Sequence, residues 1–88
     1  MISIKKLHST IYEVTVQGNT TTTHKVTLEE AYYVKLTGKK VSPEKLIEES
    51  FEFLLQRESN TSILRSFELP VIKSYFPNYE ATIKQSIF

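Results

Sequence analysis

The chain has 88 residues, no cysteine and a net charge of +1. The length fits one domain, 1–88, with a modest core, and the missing cysteine excludes disulfides and thiolate metal sites. The near-neutral balance excludes a protein that coats nucleic acid through bulk charge, leaving only a local basic patch for such a role.

Met1 to Ser9 hold no apolar run long enough for a signal peptide or a membrane span, so the expected setting is the cytoplasm, with no membrane contact. Residues 10–17, Thr-Ile-Tyr-Glu-Val-Thr-Val-Gln, are β-branched and alternate in polarity, which predicts a strand. Gly18-Asn19 breaks it, and residues 21–28 form a second strand after a tight turn. The register follows from the side chains. A three-residue loop, Gly18-Asn19-Thr20, sets Gln17 against Thr21, Glu13 against Lys25, Thr15 against Thr23 and Tyr12 against Val26. A two-residue loop would set Tyr12 against Lys25 and scramble the faces, so the hydrophobic face selects the longer loop. The buried face then carries Tyr12, Val14, Val16, His24, Val26 and Leu28, with His24 read as a hydrogen-bonded histidine at the edge of the core.

Thr27-x-x-Glu30 matches the capping-box pattern and predicts a helix over 29–37, ended by Gly38. Ser42-Pro43-Glu44 is a second start signal: Ser caps, Pro suits the first helical position, and Glu favours the first turn. The helix predicted over 43–57 has Leu46, Ile47, Ser50, Phe51, Leu54 and Leu55 on one face, and Glu44, Glu48, Glu49, Glu52 and Gln56 on the other. Ser59-Asn60-Thr61 is expected to cap a short helix or helical turn over 62–67, with Ile63, Leu64 and Phe67 apolar. Pro70 opens a further short helix, 70–76, and Pro77 ends it. Tyr79 and Ile83 then lie one turn apart in a last helix. The expected fold class is α+β: an N-terminal β-hairpin packed against one longer helix and several short C-terminal helices.

Little in the chain carries reaction chemistry. His8 and His24 are the only histidines, and no close-spaced metal set exists. Gly18 and Gly38 cannot make a phosphate-binding loop. Glu48 and Glu52 are one helical turn apart but on the polar face, where a solvated pair is the ordinary outcome. A non-enzymatic protein without cofactor or metal is expected.

The order strand 21–28, helix 29–37, Gly38, Ser-Pro-Glu, helix 43–57 resembles the ribbon-helix-helix family. The likeness lies in Gly38-Lys39-Lys40-Val41-Ser42-Pro43-Glu44, followed by Leu46-Ile47, Ser50-Phe51 and Leu54-Leu55. The resemblance implies a homodimer whose paired strands enter the DNA major groove, while the start of the second helix holds a backbone phosphate. Carried over by position, Thr23, Lys25 and Thr27 would face the groove, with Thr21 at its edge. Lys39, Lys40 and Ser42 would hold phosphate. This chain departs from that pattern in having a ready partner strand at 10–17, an acidic second helix and a tail, 58–88, without counterpart.

A second resemblance spans about residues 12–83. Ser42-Pro-Glu-x-Leu, Ser50-Phe-Glu-Phe-Leu-Leu-x-Arg57, Ser62-Ile-Leu-Arg65-x-Phe67 and Tyr75-Phe-Pro-x-Tyr79-Glu80 are similar to a family of short, uncharacterised prokaryotic proteins. It carries no activity. The working expectation is a small non-enzymatic binding protein, a dimeric DNA-binding regulator of the ribbon-helix-helix type. The rival is a protein–protein interaction adaptor with no nucleic-acid role, using the aromatic C-terminal segment. Its partner-binding residues would be Arg65, Tyr75, Phe76 and Tyr79, since Arg and aromatic side chains concentrate at binding hot spots.

Overall fold

Alternation over the two predicted strands builds the centre of a four-stranded sheet in the computed structural model, which describes residues 1–88. The strands are β1 (Ile2–Lys6), β2 (Ile11–Val16), β3 (Thr22–Thr27) and β4 (Ser66–Glu68), in that order across the sheet. The first three are antiparallel neighbours, and β4 joins β3 in parallel. The β2–β3 register is the expected one: Tyr12 faces Val26, Glu13 faces Lys25 and Thr15 faces Thr23. Tyr12, Val14, Val16, His24 and Val26 are buried on one face, while Ser3, Lys5, Thr23, Lys25, Ser66 and Glu68 stand exposed on the other.

Two strands were not expected. In β1, Ile2 and Ile4 alternate with Ser3 and Lys5 and pack against the core. β4 replaces part of the helical turn read over 62–67. Only Asn60–Ser62 is helical there, a single 3-10 turn, and the chain then extends. Ile63, Leu64 and Phe67 have helical spacing, but the Lys25 N–H donates to the Arg65 carbonyl at 2.8 Å and draws the segment into the sheet. Backbone pairing with a strand already in place outweighs a short local preference.

The helices are α1 (Glu30–Thr37), α2 (Pro43–Leu55), α3 (Ile72–Tyr75) and α4 (Tyr79–Ile87). The capping box at Thr27 does not form. Thr27 stays in β3, opposite Ile11 and Glu68, and Glu29 occupies the cap position without a side-chain bond. Gly38 ends α1 in the left-handed region (φ 58°), its N–H bonded to the Val34 carbonyl at 2.8 Å. Ser42 caps α2 as expected, its Oγ accepting from the Lys45 N–H at 3.1 Å. α2 stops two residues short of the expected 57, and Leu55 is only half-buried, whereas Phe53 joins the buried face. The span expected as one helix, 70–76, divides into a 3-10 turn at Leu69–Val71 and the single turn of α3.

One core of 17 buried residues joins the sheet to α2, α1 and the C-terminal segment. Phe51 and Tyr79 are its largest fully buried side chains; burial of a Phe-sized side chain contributes roughly 1.5–3 kcal/mol. No helix is long and apolar enough to cross a membrane.

Candidate interaction cleft

No three His, Asp or Glu side chains converge in a geometry that could hold a metal ion. Glu48 forms an ion pair with Lys45 at 3.2 Å, and Glu52 is exposed. His24 is fully buried and bonded through both nitrogens. A carbonyl can only accept, so Nδ1 carries the proton and donates to the Leu64 carbonyl at 2.7 Å. In the neutral imidazole Nε2 then accepts from the Thr22 hydroxyl at 2.9 Å, and Thr22 Oγ1 accepts in turn from the Asn60 side-chain amide at 3.0 Å. That chain of bonds ties residues 60–64 to β3.

The residues expected to face DNA lie in two places. Thr23, Lys25 and Thr27 are on the uncovered face of β3, and Thr21 is exposed just ahead of it. Lys39, Lys40 and Ser42 are in the turn between α1 and α2. Both edges of β3 are occupied, one by β2 and the other by β4, so this strand has no free edge to pair with a twin. In this arrangement β2 and β4 take the hydrogen bonds that the second chain of a ribbon would need. Lys25 stands opposite Glu13 in the strand register, and Glu13 opposite Lys5, so charges in this row alternate. The side chains of the turn are engaged. Lys39 lies 3.6 Å from Glu30, Lys40 sits 5.5 Å from the ring centroid of Phe88, and Ser42 caps its own helix.

The four residues expected to bind a partner separate by burial. Tyr79 is in the core, with its hydroxyl 2.6 Å from Ser50 Oγ, and has no surface to offer. Arg65 and Tyr75 are exposed, and Phe76 is half-buried. Tyr75 and Phe76 line a solvent-open cleft of about 160 Å³ with Leu64 and Phe67. Buried Leu54, Ile63 and Ile72 also line it, and eight of its ten lining residues are hydrophobic. Leu64 is 46% exposed and Tyr75 65% exposed, so apolar surface continues beyond the cleft itself.

The walls are held from behind. Phe76 meets Phe53 edge-on at 5.8 Å, and Phe53 meets Tyr79 at 5.3 Å. Phe67 lies 6.1 Å from Phe51, which itself packs 5.4 Å from the His24 ring. On the far side, Glu80 of α4 accepts from the Tyr32 hydroxyl of α1 at 2.8 Å and lies 3.6 Å from Lys73 of α3. The Tyr32 bond, aided by Lys35 and Lys73, holds the Glu80 carboxyl below the usual carboxylate range despite some opposing burial. Burial, reinforced by Glu80, pushes the Tyr32 phenol up. Glu80 thus joins three helices and fixes α3, one wall of the cleft.

Leu54, Leu64 and Phe67 stood out in the sequence as apolar residues of helical segments, Phe67 also as one of the C-terminal aromatics, but not as named binding residues, and Glu58 did not stand out at all. The available signal was the pair Ile63-Leu64, whose two adjacent apolar side chains cannot both be buried on an extended chain. Compared with protein-family models, curated proteins and solved structures, the chain matches none.

Proposed function

We propose that this chain is a non-enzymatic protein–protein interaction adaptor that docks its partner on the cleft between β4 and α3. The observation that carries this is the open apolar cleft of about 160 Å³ rimmed by exposed Leu64 and Tyr75. Its size decides the kind of ligand. Sites for small molecules and cofactors run to roughly 300–1,000 Å³, whereas a cavity of about 150 Å³ takes one benzene-sized group. The cleft therefore suits one large side chain of another protein. Its walls are packed in place by Phe51 and Phe53, which lowers the ordering cost of binding.

The test uses the exposed rim, where substitution leaves folding intact. Partners are captured from cell extract on the wild type and on Leu64→Asp, identified, produced as pure protein and titrated. A partner that binds the wild type at least about tenfold more tightly than Leu64→Asp supports the reading. Equal retention by both proteins, or retention only of DNA lost at higher salt as counterion release requires, overturns it. Light scattering across a dilution series shows whether the partner is a second copy of this chain.

A further inference from the structure

We propose that the occupant of the cleft is an extended segment of a partner protein, which adds to the free edge of β4 as a fifth strand. One of its large apolar side chains fills the cleft, and a Lys or Arg side chain meets Glu58. The inference rests on the adaptor reading above and names the form and charge of what the adaptor holds.

The first observation is the edge. β4 is paired only with β3, and its outer side carries no strand. The Arg65 carbonyl is spent on the Lys25 N–H, so alternation along the chain turns the Ser66 N–H and carbonyl and the Glu68 N–H toward the open side, while the Glu68 carbonyl caps the 3-10 turn that follows. The two edges of the sheet differ in their protection. β1 ends on Lys5-Lys6, the kind of charge that blunts an edge against pairing, while Ser66-Phe67-Glu68 contains neither Lys nor Pro. β4 is three residues long, which limits the added strand to a short segment.

The second observation is where the cleft lies. Phe67 points to the helix side of the sheet, opposite Val26, and lines the cleft. Alternate side chains of a strand laid beside β4 point to that same side. A helical ligand fits less well: helices dock through three or more anchors at i, i+3 or i+4, and i+7, and the cleft has room for about one side chain.

The third observation is charge. Glu58 is the one charged residue lining the cleft, and it makes no ion pair, although five other acid–base contacts form on this chain. A basic residue beside the apolar anchor complements that unpaired carboxylate.

The probe is a phage-displayed library of random twelve-residue peptides selected on the full chain, with the selected peptides then synthesised and titrated. The expected result is enrichment of a large apolar residue near Lys or Arg. Binding should weaken about tenfold or more in Leu64→Asp and in Glu58→Lys. The amide protons of Ser66 and Glu68 should slow in hydrogen exchange when peptide is bound. Peptides that need Leu64 but leave those two amides unprotected, or that ignore Glu58→Lys, overturn strand addition and leave the adaptor reading standing. A selection that yields no peptide dependent on Leu64 overturns both. Circular dichroism of each variant confirms that lost binding is not lost folding.

Discussion

The imidazole of His24 donates to the carbonyl of Leu64 at 2.7 Å, joining two residues forty positions apart in the chain. This bond places the rim of the cleft, because the exposed Leu64 side chain stands on that rim, two residues before β4. A fully buried histidine serves here as a fastening between β3 and the segment that follows α2, with its second nitrogen satisfied by Thr22.

His24→Ala should therefore cost more than its surface area alone implies. It removes packing against Phe51 and leaves the Leu64 carbonyl without its donor. The expected loss is about 2–4 kcal/mol in chemical denaturation. Native-state hydrogen exchange should show residues 60–68 opening before the β2–β3 pair; uniform protection across the sheet would refute the fastening role.

Ser50 and Tyr79 form a buried polar pair inside an apolar core. Ser50 donates to the Leu46 carbonyl at 2.8 Å, so the Tyr79 hydroxyl is the donor in the 2.6 Å contact. Burial pushes the Tyr79 phenol up, which keeps it protonated and donating. Tyr79→Phe should cost about 0.5–1.5 kcal/mol. Adding Ser50→Ala to that variant should cost little more, because the unmatched acceptor is removed with it. A thermal double-mutant cycle checks this, and strictly additive losses would contradict it.

Gly38→Ala isolates a backbone effect. A Cβ there meets nothing nearer than the edge of Phe88 at 3.9 Å, so space is not the obstacle. The φ of 58° is, and the expected cost is about 1–2 kcal/mol in urea denaturation. An unchanged unfolding midpoint would mean that the α1–α2 turn relaxes freely.

Glu80 gives the fold an acid-sensitive element. Its folded-state carboxyl lies below the ordinary value of 4.5, held there first by the Tyr32 hydroxyl and then by Lys35 and Lys73. The unfolded chain therefore takes up the proton first as pH falls. The stabilisation is fully present above about pH 4.5 and is lost as pH drops through the lower folded-state value. Glu80→Gln should be less stable than the wild type at neutral pH and nearly equal to it in strong acid. Denaturation curves at several pH values read this directly; a constant difference between the two proteins would exclude the ion cluster as its source.

The β2–β3 register, the cap and apolar stripe of α2 and the stop at Gly38 were legible because each rests on neighbours in sequence. Polarity alternates at period two, Ser42 reaches an amide three residues on, and one glycine admits a positive φ. The candidate site was legible only in part: Tyr75 and Phe76 stood out as aromatics, but nothing local distinguished them from Tyr79, which the core absorbs. By itself the sequence determined the α+β class, the hairpin and the long amphipathic helix. Tertiary structure alone decided that Ser66–Glu68 extends, that β3 lies between two strands, and that a cleft opens beside β4. The reason is that a three-residue strand gains almost nothing from its own backbone preferences. Its conformation is chosen by hydrogen bonds to a partner forty residues earlier, which no local pattern contains.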